Sequence, residues 1–207
     1  MELNELRVPV VSGIIATDCN GNIEYKGKPV GFGYSKEARK LDRAVLLRYI
    51  AEMRTEDLVV VGHKTYRSMQ HMFDPNTKVM LSYPDKVEMM DPTTAVSSIT
   101  ENHEEGISPT SSLSMKAYTY AMKHGIGCIH VFGGRSVYNA FANQYSRLVL
   151  CEFKEKANPE TSRDVYVVCE TFNLGGTPLV YDDVVPNKTH ISNPLLTVTE
   201  YNWRFLK

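Results

Sequence analysis

Apolar residues along this chain fall into two kinds of run. Val8 to Ala16 and Leu58 to Val61 are nearly unbroken and rich in β-branched side chains. That pattern belongs to strands covered on both faces of a parallel sheet. Lys78 to Ser82, Cys128 to Phe132 and Arg147 to Phe153 read as further strands, and Val165 to Val168 as a short late one. Leu195 to Phe205 alternates in character, as a late strand with one wetter face does. Elsewhere the period lengthens. Ser35 is placed to cap a helix running to about Arg54, in which Ala38, Leu41, Val45, Tyr49 and Met53 recur on one face. Lys64 to Met69, Leu113 to His124 and Ser136 to Asn143 are shorter helices, the second stopped by Gly125 and Gly127. A turn over 17–22 and a glycine-rich loop over 23–34 separate the first strand from the long helix. Strands alternating with helices predict an α/β fold, with a mainly parallel sheet, helices on both faces and an antiparallel C-terminal strand.

Length and charge narrow the class. The 207 residues suit a single domain over 1–207, in which residues 84–112, with Pro84, Pro92 and Pro109, form an insertion too long for an ordinary connection. Lys and Arg number 23 against 24 Asp and Glu, without a block of like charge, so nucleic acid and anionic membrane are poor partners. A small-molecule partner fits better, with the protein a monomer or dimer. Cys19, Cys128, Cys151 and Cys169 lie far apart and form no CxxC or Cys/His ligand spacing, so neither a zinc site nor a disulfide framework is expected. The acidic start at Met1 to Leu6 lacks a basic targeting region, and no apolar run nears the ~20 residues that span a bilayer. A cytoplasmic protein is the expectation.

Two strand-to-helix turns carry candidate chemistry. Gly62-His63-Lys64-Thr65-Tyr66 offers backbone N–H groups, an ammonium and a hydroxyl to an anion. Phe132-Gly133-Gly134-Arg135-Ser136-Val137-Tyr138 lets backbone approach a pyrophosphate closely and adds a guanidinium and a hydroxyl. Its spacing differs from the GxGxxG of ordinary dinucleotide folds. Both turns fall at strand carboxyl ends, where ligands sit in such sheets.

A family resemblance follows from the order of these landmarks. Ile14-Ile15-Ala16-Thr17-Asp18 with Asn20-Gly21-Asn22-Ile23, VVVGHKTYRSM at 59–69, KVMLS at 78–82 and HVFGGRSVYNAF at 130–141 resemble the dihydrofolate reductases. The resemblance covers most of residues 8–170 and implies a three-layer sandwich and reduction of 7,8-dihydrofolate with NADPH. It implies that His63, Lys64, Thr65, Ser82 and Tyr83 line the adenosine and 2′-phosphate side. Gly133 to Val137 would lie under the pyrophosphate, with Ala16 and Ile23 near the nicotinamide. It also implies a cis peptide between Gly133 and Gly134.

The family uses one carboxylic acid in an apolar pocket, whose pKa burial raises toward working pH. Two residues compete for that role. Asp42 lies in the middle of the apolar helical stripe, and Glu37 in the first turn, where the helix dipole alone explains a carboxylate. Family spacing to Thr55 fits neither, and Asp42 is favoured for its face. The substrate side departs from the family elsewhere. Val30 stands in place of an aromatic lid residue, Asn76 in place of the arginine that clamps the folate carboxylate, and Cys151 in place of the threonine that bonds the acid. These departures suggest a divergent, phage-type member. They also leave open a sibling pyrimidinone reductase of riboflavin synthesis, or a scaffold that kept the fold without the chemistry.

Overall fold

The structure is a computed structural model that describes residues 8–18, 23–25, 28–29, 34–83, 87–90, 112–142, 144–154 and 184–203. Residues 19–22 of the turn expected over 17–22, Val30, most of the insertion over 84–112 and the strand expected at 165–168 lie outside the described residues.

Among the described residues, ten strands and four α-helices follow one another. They are β1 (Val10–Thr17), β2 (Glu24–Tyr25), β3 (Lys28–Pro29), α1 (Lys36–Ala51), β4 (Leu58–Gly62), α2 (His63–Met69), β5 (Lys78–Ser82) and β6 (Val87–Met90). After them come α3 (Leu113–Lys123), β7 (Cys128–Phe132), α4 (Arg135–Ala140), β8 (Tyr145–Phe153), β9 (Val184–Ser192) and β10 (Leu196–Trp203). Eight strands share one sheet in the order β6-β5-β4-β7-β1-β8-β10-β9. The fold is α/β, as the alternation of periods predicts.

The chain divides into two compact units, residues 1–12 with 53–141 and residues 13–52 with 142–207. In the first, β4 pairs in parallel with β5 and with β7. Leu58, Val59, Val60 and Val61 are wholly buried, the outcome expected of an unbroken β-branched run between two neighbours. Each such side chain contributes roughly 1.5–3 kcal/mol of burial. Helix α2 packs on β4 and β5, α3 on β7, and α4 on β4 and β7. In the second unit, α1 packs on β10, which runs antiparallel to β8 and β9.

Several expectations change in detail. Besides the expected antiparallel C-terminal strand, β10, which runs antiparallel to both β8 and β9, the sheet has a second antiparallel strand, β6 on β5. Neither β6 nor β9 stands out in the sequence. Val184 to Ser192 holds Pro186, Asn187 and Lys188, residues tolerated because β9 is the last strand in the order. The loop over 23–34 contains a two-residue ladder in which Glu24 pairs with Pro29 and Tyr25 with Lys28. Helix α1 begins as expected, the Ser35 hydroxyl accepting from the Ala38 N–H at 3.2 Å, but ends at Ala51. Arg54 does not continue it, since its N–H donates to Asp57 Oδ2 at 3.1 Å and its carbonyl accepts from the Asp57 N–H at 3.1 Å. Among the described residues no helix is long and apolar enough to cross a membrane.

Candidate functional site

Parallel register builds the first candidate region. It sets Gly62 beside Ser82 on β5, while Val61 beside Phe132 leaves Gly62 next to Gly133. The two turns therefore meet. The Gly62 N–H donates to the Gly133 carbonyl at 3.1 Å, and a Cβ on Gly62 would stand 3.3 Å from that oxygen. A Cβ on Gly133 would come within 2.8 Å of Thr65 Cγ2. Gly133 and Gly134 both take positive φ, +36° and +89°, which strains any other L-residue. No cis peptide is found among the described residues, so the turn is made by two glycines of positive φ rather than by the expected cis bond.

Around this junction the expected cofactor residues divide by exposure. The His63 and Tyr83 rings stack at 4.6 Å and 11°, forming a flat aromatic shelf beside half-buried Ser82 and Thr65, with Lys64 exposed. Arg135 opens α4, Ser136 is exposed, and the N–H groups of Val137 and Tyr138 both donate to the Gly134 carbonyl at 3.0 Å. Phe132 and Val137 face inward instead. Phe132 is 2% exposed and meets Phe73 edge-on at 5.3 Å, so both side chains support the turn from the core. A glycine cradle beside an aromatic shelf, an ammonium and two hydroxyls can hold a phosphate-bearing aromatic ligand. Ala16, at the end of β1, and Ile23, just before β2, are half-buried and belong to the other unit.

The second unit carries the acid. Asp42 is partly buried on α1, and burial pushes its carboxyl from 3.8 up to about 6, against a hydrogen bond from the Cys151 thiol that lowers it. Cys151 has no exposed surface, and burial followed by the neighbouring Asp42 charge pushes its thiol well above the ordinary range. Resemblance pairs an acid with residue 151, and the fold brings Asp42 to it. Glu37 is exposed in the first turn of α1, which leaves it the helix-dipole role. Asn76 is exposed in a turn where its N–H donates to Asp74 Oδ1 at 2.8 Å.

Two clusters went unforeseen. Asp57, Cys128 and His130 converge in the first unit. In the second, Arg147 bridges Glu52 at 2.9 Å and Glu200 at 2.8 Å and lies over the Tyr49 ring, beside a cleft of about 180 Å3. No sequence spacing announces either, because their members come from separate elements.

No family model matches the sequence, and no curated protein matches it either. Solved structures do. A pyrimidine reductase-like protein from Corynebacterium diphtheriae is 15% identical with a TM-score of 0.58, over 99% of this chain and 95% of that one. A dihydrofolate reductase from Enterococcus faecalis complexed with NADP(H) and RAB-propyl is 16% identical with a TM-score of 0.51, over 94% and 96%. A diaminohydroxyphosphoribosylaminopyrimidine deaminase/5-amino-6-(5-phosphoribosylamino)uracil reductase from Thermotoga maritima is 13% identical with a TM-score of 0.56, over 95% of this chain and 57% of that one. At these identities the likeness establishes a dihydrofolate-reductase-like fold.

Proposed function

We propose that this protein is an NADPH-dependent reductase of 7,8-dihydrofolate, with Asp42 as the acid that assists protonation. The observation that carries the reading is Asp42 raised to about 6 with the Cys151 thiol on its carboxyl. An acid near 6 keeps about a tenth of its population protonated at pH 7, on the order of a hundredfold more than one at 3.8. That fraction suits proton delivery to a ring nitrogen near neutral pH. NADPH, when bound, supplies the hydride that goes to the carbon of the same C=N bond.

The chain's residues fit such a cofactor. The bare glycines at 62, 133 and 134 leave room that a Cβ would take, and Lys64 and the Thr65, Ser82 and Ser136 hydroxyls supply partners for phosphate oxygens. His63 and Tyr83 offer a stacked face to adenine.

One observation favours a second reading. Asn76 is an exposed turn residue without a guanidinium for a folate carboxylate, and a pyrimidine reductase-like protein is among the structures of similar fold. That reading is a pyrimidinone reductase acting on a ribose phosphate.

Purified protein with NADPH and either dihydrofolate or the ribosylamino-pyrimidinone phosphate, followed by loss of NADPH absorbance, separates the two. Turnover of dihydrofolate that falls at least tenfold in Asp42→Asn supports the proposal. Turnover of the pyrimidinone alone would replace it with the second reading, and the absence of both NADPH binding by calorimetry and turnover of either substrate would favour a scaffold.

A further inference from the structure

The amino ends of β4 and β7 hold three metal-ligating side chains that the reductase chemistry does not use. Parallel register sets Leu58 beside Ile129, so Asp57, one residue before β4, falls level with Cys128 at the start of β7. Cys128 and His130 are two apart on one strand and therefore face the same side. Their sulfur and nitrogen and the Asp57 carboxylate all lie within 4.8 Å of one another. Asp57 and His130 are 3% and 6% exposed and Cys128 half-buried. Two of the three ligands are thus in the interior, and the thiol is the most accessible of them.

We propose that Asp57, Cys128 and His130 form a binding site for a thiolate-preferring divalent transition metal ion, zinc being the natural occupant. His130 Nε2 lies 3.1 Å from Asp57 Oδ2. Two ligands at about 2.0 Å from a tetrahedral zinc stand about 3.3 Å apart, so this pair is already spaced to share one ion. A zinc-bound sulfur stands about 3.6 Å from its neighbours, and the Cys128 sulfur, within 4.8 Å of both partners, needs to move by at most about 1 Å to take that place.

Charge and ligand type agree with that assignment. A thiolate and a carboxylate supply two negative charges against a doubly charged ion, and the sulfur disfavours magnesium and calcium. Arg54 Nη2 donates to Asp57 Oδ1 at 2.9 Å, orienting the carboxylate as an outer partner would while Oδ2 faces His130. Oδ2 also accepts the Arg54 N–H at 3.1 Å, which a second lone pair permits. The Arg54 side chain is 59% exposed, so its positive head reaches water when an ion arrives. Spacing along the sequence passes over this site because Cys128-Ile129-His130 is a strand pair, and its third ligand comes from the residue before another strand.

The test is titration of the full-length, metal-stripped protein with Co2+ and Zn2+. One equivalent of Co2+ should produce a sulfur-to-cobalt charge-transfer band in the near ultraviolet, and Cys128→Ser should abolish it and weaken binding at least tenfold. On the wild-type protein, one equivalent of Zn2+ should slow alkylation of Cys128 at least tenfold, read by peptide mass spectrometry. The second measurement needs no variant to fold. A band that survives in Cys128→Ser, alkylation of Cys128 unchanged by zinc, or the absence of stoichiometric binding would each overturn the proposal. Neither readout depends on reductase activity.

Discussion

Replacing Asp42 with asparagine should make the protein more stable above pH 7 while removing the acid. An aspartate that is about 6 in the folded protein and 3.8 when unfolded binds its proton more tightly in the native state. Its contribution is favourable at low pH and is lost as pH rises from about 3.8 to about 6. Above that window the folded protein carries the whole cost of a desolvated carboxylate. The difference between 3.8 and 6, at about 1.36 kcal/mol for each tenfold in proton affinity, comes to about 3 kcal/mol. Asparagine keeps the shape and a polar group for Cys151 but has no proton to lose. The stability of Asp42→Asn relative to wild type should therefore improve by roughly 2–3 kcal/mol between pH 4 and pH 8, about 4–12 °C in Tm at the higher pH. Urea unfolding of both proteins followed by circular dichroism at the two pH values measures it, and comparing the pair cancels every other titrating group. A stability difference that does not change with pH would refute the assignment of Asp42 as a desolvated acid. So would one that moves against the variant as pH rises.

Further substitutions test the packing in three places. Gly133→Ala combines φ of +36° with a 2.8 Å approach to Thr65 Cγ2 and should cost about 1–3 kcal/mol by thermal unfolding. Adding Thr65→Ser should recover part of the loss, because the crowding methyl goes while the strain of φ stays. Asp57→Ala removes a partner of buried His130 and of Arg54 and should cost about 3–5 kcal/mol in chemical denaturation, whereas Arg54→Ala, at an exposed position, should cost far less. Arg147→Met leaves Glu200, 16% exposed, without its cation and should cost about 1–3 kcal/mol, a loss that Glu200→Gln in the same chain should partly restore.

The alternation of periods made β1, β4, β5, β7, β8 and α1 readable, since burial on both faces or on one stripe is written in the residues themselves. Short-range chemistry was equally legible. Ser35 caps α1, and the glycine turns at 62 and 133 stand at strand ends. The stripe on α1 also favoured Asp42 over Glu37, and in the structure the first is partly buried and the second exposed. What periodicity reports is whether a position is covered, not by what. The two end strands of the sheet, β6 and β9, escaped notice because their residues carry weak strand signals and gain their pairing from β5 and β10.

By itself the sequence determined the α/β class, the places of the two glycine turns and the face on which a lone acid lies. Each is a local property, set by backbone preference and by which side chains avoid water. Tertiary structure alone decided that Gly62 meets Gly133, that Cys151 reaches Asp42, and that Asp57 joins Cys128 and His130. Those meetings come from strand register and helix packing between segments far apart in the chain. Residue spacing holds no record of them, because hydrophobic burial drives the strands together without regard to which polar groups arrive with them.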